Sequence, residues 1–550
     1  MIKLMRELVK EVMMTQVTVN RLGRWLLLSM AMVIGLVAVP RDGAAQVTAF
    51  KQAVAEAAAK DRDMAAFYQA NNYEGIWTGN VGKDRRRRAA LFDAIASADD
   101  HGLPTRRYDP EGLMSKLKSA RTARERGFVE VEMSRTFLQL ARDMQTGALI
   151  PSRVDGDIKR QVPYRERVSY LTNFAKSNPK GFFRVLPPKT NEYARLMKEK
   201  IRLERLMASG GWGPTVPTES LKPGQSGAGV VALRNRLMEM GFLRRSASQT
   251  YDETLQSAVQ QFQAAHGLET DGVAGASTIK AINTPVASRL QAVLVAMERE
   301  RWLNMERGKR HILVNLTDFT ARIVDSDRVT FSTRAVVGKN QYDRRSPEFS
   351  DVMEYMVINP TWHVPRSIAV KEYLPKMKRN RNAAGHLRLY NSRGQQVSRS
   401  AINFNAYNAS NFPFAIKQPP SSRNALGLVK FMFPNKYNIY LHDTPKKSLF
   451  QRAQRDFSHG CIRLHQPFEF AYEILSKQES NPKAFFQATL DTGQETYVHL
   501  EKNVPVHIIY RTAFTQAKGP TQYRNDVYGR DARIWDALSK AGVSLRAVRG

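Results

Sequence analysis

Cys461 is the lone cysteine among 550 residues, and it lies in the stretch FSHGCIRL, Phe457 to Leu464. A thiol acts as a nucleophile when it has a base to take its proton, donors for a developing oxyanion and a group that orients the base. Candidates for each are close at hand. His459 precedes Cys461 by two residues, which on an extended strand puts both side chains on one face. His442 ends the apolar run NIYLH just before the turn DTP, and in-register pairing of that run with GCIRL would bring it to the thiol too. Spacing alone does not choose between the two imidazoles. Gly460 permits close backbone approach, so the amides around 460 and 461 are candidate oxyanion donors. Arg463 shares the Cys461 face and could hold a carboxylate through paired hydrogen bonds; the plainer reading pairs it with Glu469 or Glu473. Three histidines (442, 459 and 465) with one cysteine could in principle bind zinc. Their spacing matches no common zinc pattern, so neither a metal nor another cofactor is expected.

The elements that must position these residues read mainly as strands. HILVNLTDFTARIVD, RVTFSTRAVVG, EYMVINPTWHV, LVKFMF, NIYLHD and TYVHLEKNVPVHIIYRTAF alternate β-branched or aromatic residues with polar ones, broken by short turns. Pro467 suits the first turn of a helix, PFEFAYEILSK. Residues 371–420 are basic, rich in Asn, Ser and Gly, and weakly periodic, which predicts a lid or binding loop over the site. Upstream, residues 46–210 show apolar positions at helical spacing and read as a helical support domain. Its run KDRRRR, Lys83 to Arg88, reads as a solvated helix start. A Gly/Pro/Ser-rich linker follows, then three helical patches within 211–285. The fold class is therefore multidomain α+β, with the catalytic part spanning 286–515 and a short helical tail over 516–550.

Composition bounds the setting. Lys and Arg number 84 against 51 acids, a net charge of +33, which favours anionic surroundings such as envelope polymers, a membrane face or nucleic acid. Arg21 and Arg24 precede a 14-residue apolar run, Leu26 to Val39, and the small residues GAAQ. This predicts an export signal over 1–45, cut after Ala45; an uncleaved anchor is the alternative, and would be the chain's membrane contact. Export argues against nucleic acid as a partner. It also makes an unpaired cysteine informative, because thiols in oxidising compartments usually pair.

Fifteen residues separate His442 of HDTP from Ser458 of SHGCIR. That arrangement resembles the signature of YkuD-type L,D-transpeptidases. VVGK at 336–339, NPTWHVP at 359–365, RNALGLVKFMFPN at 423–435 and VYGRD at 527–531 resemble the large YcbB-like branch of that family, and NNYEGIWTG and HGLPTRRYDP fit its scaffold part more loosely. The segment from Leu221 to Asn283, with GFL and YDETLQSAVQQFQAAHGLETDGVAG, resembles a three-helix peptidoglycan-binding domain.

The resemblance implies a helical scaffold domain, a peptidoglycan-binding domain and a mainly-β catalytic domain with a capping subdomain near 371–420. It implies Cys461 as nucleophile, His442 as general base and the Asp443 carbonyl as its orienter, with His459 and Gly460 shaping the pocket. Arg463, Ser458, Tyr440 and Trp362 are the expected substrate contacts. The implied reaction takes a peptidoglycan tetrapeptide stem, releases D-alanine through a thioester and forms a three-to-three crosslink in the periplasm or cell envelope. Acylation by carbapenems is implied as well. Two other functions fit the residues: a cysteine carboxypeptidase using water as acceptor, and a wall-binding protein without catalysis.

Overall fold

The computed structural model describes residues 42–546. The expected export signal falls almost wholly outside the described residues, and no described helix is long and apolar enough to cross a membrane. Helices from Asp42–Ala58 to Pro179–Arg184 surround one apolar core that includes Trp77, Phe137 and Phe174. The NNYEGIWTG loop owes its shape to Glu130. This fully buried carboxylate on helix Ala123–Thr146 accepts the amides of Ile76 (2.6 Å), Trp77 (3.1 Å) and Thr78 (2.9 Å). The KDRRRR run is only partly solvated. Arg87 is buried on Asp84 at 3.0 Å, and Arg88 donates to the carbonyls of Trp77 and Gly79, closing the same loop.

Helices Ala228–Glu239, Glu253–Ala265 and Ala276–Ile282 form a three-helix module with its own core around Leu233, Leu255 and Phe262. Arg524 stitches it to the rest: its guanidinium donates to Ala265 O at 2.9 Å and Asp318 Oδ1 at 2.6 Å, and the His266 ring stacks on Tyr523.

The C-terminal part holds a nine-stranded sheet of β1 (Arg310–Asn315), β2 (Thr320–Asp325), β3 (Arg328–Gly338), β4 (Phe349–Ile358), β9 (Val429–Met432), β10 (Leu441–His442), β11 (Asp456–Ser458), β12 (Ile462–Leu464) and β13 (Thr496–Ile509). The order is β11-β3-β12-β10-β9-β4-β13-β1-β2, and a further β2–β3 pairing closes the sheet on itself. Alternation sends Ile312, Phe431, Leu441 and Ile462 into its core and their chain neighbours outward.

Three expectations need correction. The insertion is not a loop: β5 (Trp362–His363), β6 (Arg388–Tyr390), β7 (Gln396–Val397) and β8 (Ala415–Gln418) form a small sheet, order β5-β8-β6-β7. With the helical turns at 366–379 they enclose a core reaching from Trp362 to Leu426, so the cap begins before residue 371 and ends after 420. Its strands are two to four residues long, too short to register as periodicity. The segment after 515 is no tail either. Ile534 and Leu538 on helix Arg530–Lys540 pack with Leu290 and Leu203, while buried Arg530 bonds Glu348 at 3.2 Å and the Ser346 carbonyl at 2.9 Å. Finally, NIYLH and GCIRL supply strands only at Leu441–His442 and Ile462–Leu464.

Candidate active site

β10 and β12 run parallel side by side, with Leu441 opposite Ile462 and His442 opposite Arg463. Ile462 N–H donates to Tyr440 O at 3.1 Å, which sets Tyr440 beside Cys461. Because Leu441 and Ile462 point into the barrel, Tyr440, His442, Cys461 and Arg463 all lie on its outer face. Tyr440 packs against both the barrel core and the cap core, so this face lies along the seam with the cap.

The thiol of half-buried Cys461 donates to Asn438 O at 3.4 Å. Burial pushes it up to about 11, while hydrogen bonds from the Tyr440 amide and phenol and the charge of Arg463 pull the other way. His442 is 4% exposed, and its Nδ1 bonds the Asp443 carbonyl at 2.5 Å, which assigns the proton to Nδ1 and leaves Nε2 as the basic nitrogen. Burial and the Arg463 charge lower its pKa to about 3, against the carbonyls of Asp443 and Leu426. At neutral pH the resting site therefore holds a protonated thiol and a neutral imidazole, and no hydrogen bond joins them among the described residues. Iodoacetamide alkylation of Cys461 should accordingly keep accelerating with pH beyond 9 and level off only near 11. A plateau below 9 would contradict this picture.

The Asp443 carboxylate does separate work. It accepts Leu428 N–H at 2.9 Å and Lys447 Nζ at 2.6 Å, and it lies so close to Gly427 (φ +65°) that a Cβ there would meet Oδ2 at 2.2 Å. It thus fixes the chain entering β9 beside His442.

The chain between β11 and β12 turns at residues 459–461 instead of staying extended, with Gly460 at φ +116°. The shared face expected of His459 and Cys461 is therefore lost. Exposed His459 bonds Glu372 of the cap through Nε2 at 2.5 Å, and the same Glu372 Oε1 takes Arg344 at 2.9 Å. Ser458 is buried inside the turn; its Oγ accepts Gly460 N–H at 3.1 Å and donates to Cys461 O at 2.5 Å. Its one donor is spent and its side chain is buried, so it does not face substrate, and the Gly460 amide is not free for an oxyanion. The Cys461 amide has no partner among the described residues. Trp362 is 8% exposed within the cap core, edge-on to Tyr373, and presents no open substrate face.

Arg463 pairs with neither Glu469 nor Glu473; Glu473 is taken by Arg310, and the buried Arg463 Nε has no partner among the described residues. His465 packs on Phe450 and His459 on Glu372, so the three histidines do not converge on Cys461. Among the described residues no group of His, Cys, Asp and Glu could hold a metal ion.

Four residues of the site escaped sequence reasoning. Asn438, at φ +54°, supplies the carbonyl under the thiol, and an asparagine before a strand is a turn signal that could have found it. Ser346 donates to Gly460 O at 2.6 Å and accepts Gly338 N–H at 2.9 Å, pinning the turn before Cys461 from the loop before β4. Glu372 joins the cap to that turn. Lys430 lies opposite His442 on β9, on the same outer face, with its pKa lowered by burial.

The chain matches three family models: a YkuD L,D-transpeptidase catalytic domain over residues 309–507, a scaffold domain over 62–199 and a "Putative peptidoglycan binding domain" over 226–282. A curated relative, "Putative L,D-transpeptidase" from Haemophilus influenzae, is 28% identical over 254 residues, 45% of this chain and 51% of that protein. The chain thus spans about half the length of that relative. Similar solved structures include an L,D-transpeptidase from Stackebrandtia nassauensis (15% identity, 54% of this chain, 97% of that chain, TM-score 0.21). Another comes from Xylanimonas cellulosilytica (17%, 54% and 100%, TM-score 0.16). The barrel that carries Cys461 and His442 is a YkuD-type L,D-transpeptidase catalytic domain, borne on one chain with a scaffold domain and a peptidoglycan-binding domain.

Proposed function

We propose that the protein is an L,D-transpeptidase of the cell envelope that works through a thioester on Cys461. The observation that carries this reading is the β10–β12 register, which sets the lone thiol on one outer face with a tautomer-fixed neutral imidazole and an unpaired guanidinium. In the proposed reaction Cys461 gives its proton to His442 as its sulfur attacks the carbonyl of the third stem residue. The C–N bond to D-alanine breaks, His442 returns the proton to the leaving amine, and a thioester remains. An amine of a neighbouring stem then attacks, giving a three-to-three crosslink and restoring the thiol. Oxyanion charge would fall to the unpartnered Cys461 amide, with the Tyr440 amide and phenol as its neighbours.

Arg463 and Lys430 flank His442 on either side, so they stand roughly 10 Å apart, two strand spacings. Both suit the carboxylates of a tetrapeptide stem. Lys430→Met should raise KM for the tetrapeptide donor about tenfold with kcat little changed, since a charged hydrogen bond contributes about 1.5–3 kcal/mol. Steady-state kinetics with a soluble muropeptide checks this; an unchanged KM would remove Lys430 from the site. The cap, tied to the nucleophile turn through Glu372, would keep water from the thioester.

Incubating the purified protein with tetrapeptide-bearing muropeptides and reading products by mass spectrometry tests the whole reading. Dimers, with a transient adduct on Cys461, are expected. Tripeptide without dimers would make the protein a carboxypeptidase, and no turnover at all would leave a wall-binding protein.

A further inference from the structure

The scaffold domain holds a cleft of about 490 Å³ far in sequence from the catalytic residues, between helices Gly82–Ala96, Pro179–Arg184 and Asn191–Ala208. That volume is usual for a small-molecule site. Its floor is apolar, built from Ala90, Met144, Phe183 and Met197, and methionines adapt readily to the shape of an alkyl group. At its rim Arg184 and Lys189 are exposed, and neither side chain has an ion pair or hydrogen bond among the described residues. The one acid there, Asp93, is already matched by Lys180 at 3.1 Å.

His101 completes the lining, and its neighbours favour one tautomer. Arg301 Nη1 donates to Tyr193 Oη at 3.0 Å, so that oxygen acts as acceptor. The Tyr193 hydroxyl proton is then free to go to His101 Nδ1, 3.0 Å away. A neutral imidazole that accepts at Nδ1 carries its hydrogen on Nε2. Burial and the charges of Arg301 and Lys200 hold His101 neutral, with its pKa lowered to about 4. The charged groups of the cleft left without a partner are thus cations, Arg184 and Lys189, while Ser97 spends its donor on Ala94 O at 3.1 Å.

We infer that this cleft binds a single-chain anionic amphiphile, its carboxylate or phosphate head on Arg184, Lys189 and His101 and its alkyl chain on the apolar floor. A peptide fits less well, because the floor offers no partners for backbone amides and each unmatched buried amide costs free energy. Nothing in the proposed transpeptidase reaction requires this site.

Titration calorimetry of the intact protein with dodecanoate, dodecyl phosphate, dodecanol and a stem tetrapeptide, all below micelle formation, tests the inference. Saturable binding of dodecanoate or dodecyl phosphate is expected, the tighter of the two identifying the head group, with dodecanol at least tenfold weaker. The double variant Arg184→Glu, Lys189→Glu should weaken binding at least tenfold. Ala194→Trp, at an exposed position on the lining, should abolish it by filling the mouth. Both variants should keep the wild-type alkylation rate at Cys461, which reports an intact fold. Equal affinity for dodecanol, unaltered binding in the variants, or preference for the tetrapeptide would each overturn the inference.

Discussion

Cys461→Ala should lower crosslinking by at least a thousandfold, to background, while the variant still sediments with isolated peptidoglycan. The size follows from the chemistry: without a nucleophile the two-step route is lost, and only binding and oxyanion donors remain. The fold should survive, because the half-buried side chain donates a single weak hydrogen bond, to Asn438 O, and belongs to no apolar core. The informative pair of measurements is dimer formation from muropeptides and the intact mass after exposure to a carbapenem. Wild type should gain one adduct and Cys461→Ala none. Residual crosslinking in the variant above a percent of wild type would refute the thioester route.

His442→Gln should cost about a hundred- to ten-thousandfold in kcat/KM, the usual span for a general base. His459→Gln should cost far less, because His459 reaches the cap rather than the sulfur. The pH profile separates the roles further. Protonation removes a base, so activity depending on His442 falls as pH drops through its pKa. With that pKa held near 3 by burial and Arg463, the imidazole itself should impose no acid limb between pH 5 and 7 on kcat/KM. Arg463→Leu would relieve part of the depression and draw the limb upward toward the ordinary histidine range of about 6.5. A larger loss in His459→Gln than in His442→Gln would exchange the two assignments.

The site was legible in the sequence where its logic is local. His442 stands on β10 and Cys461 immediately precedes β12, and the apolar neighbours Leu441 and Ile462 announce which face is buried, so the pairing of the two segments followed from register. The error at His459 arose because extended geometry was assumed across a glycine that turns the chain at φ +116°. Ser458 carries no mark in its spacing that its donor is spent, and its side chain buried, within its own turn. Ser346 and Glu372 reach the Gly460 turn across 114 and 87 positions of chain, and Lys430 meets His442 only through the β9–β10 pairing; single-sequence periodicity holds no information on such pairings. Periodicity alone read the cap as a loop, whereas the family resemblance implied a capping subdomain; its strands gain their order from a core of Leu387, Leu389, Phe412 and Ile416, not from local alternation.

Arg524 bears on how the protein would meet a polymer. A side chain that bonds the three-helix module and the β1–β2 turn at once leaves that module without a swinging tether. A glycan strand gripped there would be presented to the sulfur at one set span, as between the jaws of a caliper. Loosening Arg524 would then spare the chemistry on small soluble peptides while blurring which positions along an intact sacculus are joined.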